Sequence, residues 1–321
     1  MFMNLAEDDR EISARREAFL EGFGRGSGSG PAPTIATSFG GGDFGSGHVN
    51  YHNRAQGLRD LRVGGAGPDL YVATCWPSLR ALIHVADRTP IVFVGLANLR
   101  DTPATATHEY LPDNVYGFIS YGKNLCGQWV NLLRDVRVDV AHAAFIYDMN
   151  AQDRPGAKKV FEEIQRSGAS LAVAGSAAPL EVTPINCGSD RLDDDLKQFA
   201  RQVTGTPAGL IVGVSVLAAK KRKTIIEFAK NSQLPAVYPN RLYTLNGGLV
   251  SRGTYIQGLY RSAGDYARKI INGERPTPRI DTKQTETGAP FETVVNVSAA
   301  RAIGLQLDLA RLRPDLVIDE G

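Results

Sequence analysis

The chain has 321 residues, enough for two domains of ordinary size, each with its own core. With 36 Lys and Arg against 34 Asp and Glu, the formal charge is +2 at neutral pH, which argues against nucleic acid or an anionic membrane as main partner and points to a small ligand. An apolar fraction of 43% excludes a disordered or collagen-like chain, and the longest almost uncharged apolar stretch, Gly209 to Ala219, is far short of the roughly 20 residues that cross a bilayer.

In chain order, short β-branched runs alternate with helical patterns, as in βαβ units of a mostly parallel sheet. The start, Met1-Phe2-Met3-Asn4, leads into acidic Glu7, Asp8 and Asp9 and lacks the basic and apolar regions of an export signal. A helix is expected over Glu7 to Phe23, then a loop over Gly24 to Gly30, a strand over Pro33 to Phe39 and a mobile glycine-rich loop over Gly40 to Gly47. A strand (Asp69 to Thr74), a helix (Pro77 to Asp87) and a strand (Ile91 to Ala97) complete a first α/β block, and Asn114 to Tyr121 links it to a second. There the pattern predicts helix Asn124 to Arg134, strand Ala141 to Tyr147, helix Asp153 to Arg166 stopped at Gly168, and strand Ser170 to Ala174. Helix Asp190 to Gln202 follows, with carboxylates at its start, then strand Ala208 to Gly213, helix Leu217 to Asn231 and strand Pro235 to Tyr238. A long helix (Tyr255 to Ile271), a Pro-rich connector (Glu274 to Pro278) and a late strand (Phe291 to Asn296) suggest a chain that passes between its lobes more than once.

Few motifs carry chemistry. Gly40, Gly42 and Gly45 make a G-x-G-x-x-G after a strand, but the acidic residue that holds a ribose at the end of the next strand is missing, since that strand ends Ala73-Thr74-Cys75. A loop is the better reading. His48 and His52 have an i, i+4 spacing without a third ligand nearby, and Cys75, Cys126 and Cys187 are isolated thiols, so no metal or cofactor is expected. The run Lys220-Lys221-Arg222-Lys223 reads as a solvated helix start. No phosphate-loop, serine-hydrolase or zinc-protease signature occurs.

Ligands of open α/β sheets bind beyond the carboxyl ends of the strands. Those ends supply the candidate contacts Thr74, Cys75, Trp76 and Ser78, then Asn98, Tyr147 and Asp148, then Ser215, Tyr238, Asn240 and Arg241, with Asn4 after the first short segment. They combine aromatic faces with neutral hydrogen-bonding groups and show no evident nucleophile and base. Pro77 at the first helical position would make Trp76 the N-cap, leaving the backbone N–H groups of Ser78 and Leu79 open for a carboxylate beside the Ser78 and Thr74 hydroxyls.

Four motifs in order, Pro90-Ile91-Val92-Phe93-Val94-Gly95, Leu234-Pro235-Ala236-Val237-Tyr238-Pro239, Gly247-Gly248-Leu249-Val250-Ser251 and Ala302-Ile303-Gly304-Leu305, resemble the substrate-binding proteins of a family of ABC importers. The helix Tyr255 to Ile271 with Gly273-Glu274-Arg275-Pro276 is similar to that family's A-x-Y-x-x-x-I-L-x-G-x-x-P segment. The resemblance implies a two-lobed periplasmic binding protein fold, each lobe a mostly parallel sheet flanked by helices, joined by three crossovers and closing on a solute held in the cleft. It places residues 1–118 and 252–280 in the first lobe, and residues 119–251 and 281–321 in the second. It also implies a non-enzymatic monomer in the periplasm or cell envelope, with an ABC permease as partner and a small polar or aromatic solute, such as an amino acid or aromatic acid. The family's export signal and full first strand are not seen before Glu7, so Met1 is expected to be internal to a longer natural protein or to mark a lost start. Asn98 stands where the family commonly has aspartate. The alternatives are an NAD-dependent oxidoreductase using Gly40 to Gly45 and the effector-sensing core of a regulator.

Overall fold

The computed structural model describes residues 1–3, 11–24, 34–39, 48–62, 64–97, 111–121, 124–149, 154–170, 179–281 and 291–319. In chain order its elements are β1 (Phe2–Met3), α1 (Glu11–Gly24), β2 (Ser38–Phe39), α2 (His48–Asp60), β3 (Tyr71–Ala73), α3 (Trp76–Val85), β4 (Ile91–Ala97) and β5 (Val115–Tyr121). There follow α4 (Asn124–Val136), β6 (His142–Tyr147), α5 (Arg154–Ser170), β7 (Glu181–Asn186), α6 (Leu192–Gln202), β8 (Ala208–Val212), α7 (Val216–Lys220), α8 (Arg222–Asn231) and β9 (Ala236–Tyr238). The chain closes with α9 (Arg241–Leu245), β10 (Val250–Thr254), α10 (Ile256–Ile271), β11 (Ile280–Asp281), β12 (Phe291–Asn296), α11 (Val297–Ala302), α12 (Leu309–Leu312) and β13 (Leu316–Ile318). They form two compact units: Met1–Asn98, Ala106–Gly122 and Tyr255–Pro290 in one, and Leu99–Thr105, Lys123–Thr254 and Phe291–Gly321 in the other.

The first unit holds a six-stranded sheet in the order β11-β5-β4-β3-β1-β2, parallel throughout. A parallel sheet is covered on both faces, which is why β4 reads as an unbroken apolar run and why Ile91 through Val94 are buried. Helices α1 and α10 touch backbone to backbone through two glycines. A Cβ on Gly22 would lie 1.8 Å from the carbonyl oxygen of Arg261, and one on Gly264 would lie 2.0 Å from that of Phe19. The ring of Tyr266 on α10 meets Phe118 of β5 at 4.6 Å, and its hydroxyl donates to the Pro278 carbonyl at 2.9 Å.

The second unit has seven strands in the order β13-β12-β10-β9-β8-β6-β7, with only the β10–β12 pair antiparallel among the described pairs. Its core on one face joins Leu196 and Phe199 of α6 and Ile225 and Ala229 of α8 to Leu210 and Val212 of β8. Gly253 lets β10 pass close to the turn after β9, since a Cβ there would sit 1.8 Å from the Pro239 carbonyl oxygen.

The two mostly parallel sheets agree with the α/β class the sequence predicts. Several boundaries differ. Residues Val115–Tyr121, expected as a connector, are β5, seated between β4 and β11. Helix α5 runs through Gly168 to Ser170, so that glycine does not stop it, and the rest of the strand expected at Ser170 to Ala174 lies outside the described residues. The helix expected from Leu217 to Asn231 divides at Lys221 into α7 and α8. Four adjacent cations repel within one helical turn, and the break lets the Lys221 ammonium donate to the Ser189 carbonyl at 3.1 Å. The strand expected from Pro33 is only β2, and the glycine-rich loops at Gly24 to Gly30 and Gly40 to Gly47 lie outside the described residues.

Candidate functional site

In the first unit the expected cap of α3 is corrected by one residue. Cys75, with extended φ −156° and ψ 163°, is the N-cap, Trp76 is the first helical residue and Pro77 the second. Proline fits there because the second position of a helix also has a backbone nitrogen without an intrahelical acceptor. Ser78 then sits third and closes a capping box. Its hydroxyl accepts from the N–H groups of Cys75 (3.1 Å) and Thr74 (3.2 Å) and donates to the Cys75 carbonyl at 2.8 Å. Ser78 is wholly buried, and the Leu79 N–H closes on the Cys75 carbonyl at 2.9 Å. The turn therefore satisfies itself, and the Ser78 hydroxyl is a structural group.

Trp76 is half-buried, its ring 5.9 Å from the Arg80 guanidinium, and its buried indole N–H has no hydrogen-bond partner among the described residues. Thr74 is buried beside a polar network that sequence reasoning missed. Glu11 and Arg15 lie 3.8 Å apart on α1, the Gln257 side chain of α10 donates to Glu11 at 3.3 Å, and the Arg15 guanidinium lies 5.8 Å from the centre of the Tyr260 ring. Burial raises the Tyr260 phenol pKa, and burial likewise raises the Cys75 thiol. A Glu and an Arg four residues apart on a helix read as an ordinary solvated pair; only the return of α10 across α1 buries them.

In the second unit the carboxyl ends of β7, β6, β8 and β9 lie side by side in the sheet. The two tyrosines expected to wall a ligand pack among core residues. Tyr147, 8% exposed, stacks on Phe145 at 4.9 Å and on Phe161 of α5 at 5.9 Å. Tyr238, 1% exposed, stacks on Tyr243 at 5.0 Å, in space that Gly248 leaves open, since a Cβ there would be 2.7 Å from the ring. Burial raises both phenols.

The residues just beyond those strands do reach the surface. Asp148, Ser215 and Asn240 are half-buried, and Met149 and Val214, which the sequence reading passed over, are exposed at 42% and 41%. Ser215 and Asn240 are oriented locally. Ser215 caps α7 by accepting from Leu217 and Ala218 at 3.1 and 3.2 Å, and Asn240 caps α9 by accepting from Leu242 at 3.2 Å. Asn186 fixes the neighbouring turns by accepting from the N–H groups of Met149 (3.1 Å) and Gly188 (2.9 Å). Cys187 lies 3.7 Å from the Ser215 hydroxyl, and burial pushes its thiol up to about 11. Arg241 faces Glu292 of β12 at 3.5 Å, and both side chains are largely buried, so the chain itself supplies this guanidinium's counter-charge.

Asn4, Asn98 and Gly40, Gly42 and Gly45 lie outside the described residues. Helix α2 does give His48 and His52 the expected helical spacing, while among the described residues no three His, Cys, Asp or Glu side chains are placed to hold a metal ion. No helix is long and apolar enough to cross a membrane among the described residues.

No protein-family model matches the chain, and no curated protein does. Solved structures match along nearly its whole length. The chain is similar to an ABC domain from Streptococcus pneumonia in complex with L-Trp, with a TM-score of 0.71 at 16% identity over 99% of both chains. It is also similar to a ligand-free, open substrate binding protein with adhesive properties from Clostridium difficile, with a TM-score of 0.60 at 15% identity, covering 99% of this chain and 98% of that one. An ABC transporter solute binding protein from Agrobacterium vitis with bound D-fucose gives a TM-score of 0.58 at 11% identity over 92% of this chain and 94% of that one. The fold is therefore the periplasmic binding protein fold, as the resemblance in the sequence implies.

Proposed function

We propose that the chain is the solute-binding protein of an ABC importer, without enzymatic activity, and that its solute is a small polar or aromatic molecule, an aromatic amino acid in the first instance. The observation that carries this reading is the correspondence of fold along the full chain with a protein bound to L-Trp. The groups beyond the strand ends support it. Trp76 offers a planar aromatic face, Met149 and Val214 offer apolar surface, Asp148 offers a carboxylate, and Ser215 and Asn240 offer a hydroxyl and an amide held by local hydrogen bonds. Asp148 is the group suited to a solute ammonium. Such a protein acts with an ABC permease partner and in the periplasm or cell envelope.

The test is a thermal-shift screen followed by calorimetry with L-tryptophan, L-tyrosine, indole-3-propionate, D-fucose and NAD. A solute at 100 times its Kd stabilises by about 2.7 kcal/mol. L-tryptophan is expected to shift the melting temperature more than indole-3-propionate, and Asp148→Asn to remove that preference. Stabilisation by NAD alone would sink the reading in favour of an oxidoreductase.

A further inference from the structure

The second unit carries a groove of about 490 Å³ between α4, β10, the start of β12 and α12. It is not the strand-end region of Asp148, Ser215 and Asn240. One pair of its charges is matched and one is not. Arg311 on its wall is neutralised by Asp135 at 2.6 Å. Arg252 is half-buried, yet its Nε donates to the Gln128 amide oxygen and its Nη1 to the Thr293 hydroxyl, each at 2.6 Å, and both acceptors are neutral. Asp315 accepts from the Thr293 backbone N–H at 2.7 Å and returns its own N–H to the Thr293 carbonyl at 2.8 Å. Neither Arg252 nor Asp315 has an ion-pair partner among the described residues.

The guanidinium and the carboxylate are thus tied to two atoms of the same residue, one on each side of it, and not to each other. Thr293 is the cross-strand partner of Arg252, which fixes the arrangement in the sheet. A lone anion here would be attracted by Arg252 and repelled by Asp315, and a lone cation the reverse. A molecule with both charges a few ångströms apart satisfies both. Leu132 and Phe291 supply apolar wall in the same groove, and Arg313, exposed like Asp315, adds a further cation at its rim.

We propose that this groove is a seat for a zwitterionic α-amino acid with an apolar side chain, its carboxylate on Arg252, its ammonium on Asp315 and its side chain toward Leu132 and Phe291. The proposal is independent of the solute-binding reading. The two tryptophans separate them, because the Trp129 indole N–H donates to the Arg252 carbonyl at 2.8 Å, whereas Trp76 belongs to the other unit.

The experiment follows both indole N–H signals by NMR in the full chain, assigned with Trp76→Phe and Trp129→Phe, during titration with L-phenylalanine, L-leucine, 3-phenylpropionate and phenethylamine. L-phenylalanine is expected to shift the Trp129 signal saturably, and each singly charged analogue to bind about tenfold more weakly or worse. Arg252→Gln and Asp315→Asn should each raise the Kd read at Trp129 by about tenfold or more. Asp315 is exposed and its asparagine retains an acceptor for Thr293, so that variant tests the site even where loss of Arg252 disturbs the fold. A Trp129 signal that neither amino acid moves saturably, a Kd unchanged in Asp315→Asn, or 3-phenylpropionate binding as tightly as phenylalanine overturns the proposal. A response confined to Trp76 likewise overturns it and leaves the solute-binding reading standing.

Discussion

In the first unit, the Ser78 hydroxyl holds three backbone atoms of Thr74 and Cys75, and the charges behind it, Glu11 and Arg15, belong to one helix. In the second, Ser215 and Asn240 each hold the start of their own helix, the buried Arg241–Glu292 pair joins a helix to a strand 51 positions away (292 − 241), and Met149 and Val214 face outward. The first arrangement is closed on itself and consists of structural groups. The second leaves side chains at its surface that a ligand can reach. Strand-end polarity alone does not mark a binding group; what matters is whether the backbone has already taken it.

The largest effect should come from the long-range pair. Glu292→Ala leaves the Arg241 guanidinium buried without its carboxylate and is expected to lower stability by about 3–5 kcal/mol, read by urea denaturation through Trp129 fluorescence. An unchanged midpoint would mean that Arg241 finds water, and the contrast between the units would lose its main support.

Alkaline pH should also act through the second unit. Burial pushes Cys126 up to about 12 and Cys187 to about 11, from an ordinary thiol value of 9.0. These thiols ionise in the unfolded chain first, so the folded state binds more protons above pH 9 and stability falls as pH rises from there toward the folded values. The slope approaches about 1.4 kcal/mol per pH unit for each group. Denaturation midpoints between pH 8 and 10.5 measure it, and Cys126→Ala with Cys187→Ala should make the decline shallower, with Cys75, whose thiol burial also raises, keeping its own share; a decline of equal slope in that variant assigns it to other groups.

For the first unit, Gly264→Ala forces α10 away from the Phe19 carbonyl and is expected to cost about 1–3 kcal/mol, followed through Trp76 emission. Ser78→Ala strands the Thr74 and Cys75 N–H groups and should cost about 1–2 kcal/mol, against about 1 kcal/mol for Ser215→Ala. The sharper contrast is in binding: once the solute is identified by calorimetry, Ser78→Ala should leave its Kd unchanged. A tenfold loss would return that hydroxyl to the list of contacts.

The patterns that read well were those fixed locally. Ile91–Ala97 and Phe291–Asn296 are short runs rich in β-branched and apolar residues, each preceded by a proline, and their ends fall where expected. Val115–Tyr121 escaped because Gly117 and Ser120 interrupt its apolar residues, and its partner β11 lies more than 150 residues further on, in a segment too short to signal a strand. Tyr147 and Tyr238 are packed more deeply than their strand-end positions suggest, for a different reason. The last residue of a strand in a doubly covered sheet still points into a helix layer, and the residue after it is the first to emerge. The α3 cap slipped by one because proline is tolerated at both of the first two helical positions, and only Ser78 three residues past Cys75 distinguishes them. Glu11 and Arg15 were invisible because their burial depends on α10, some 240 residues later.

That last dependence bears on how the chain is made. Helix α1 leaves the ribosome early, but the groove that receives Gly22 and Phe19 is built by Arg261 and Gly264, and the edge strand β11 arrives later still. The amino-terminal unit therefore cannot finish first, against the usual order of cotranslational folding, and must wait with an open helix face while the second unit's strands β6 to β10 are synthesised. The second unit waits in turn for β12 and β13. Each half is completed only by the last seventy or so residues, so a nascent chain released before Ile256 holds the Leu196, Leu210 and Ile225 core of the second unit but lacks the helix that covers α1 and the strands that finish the second sheet.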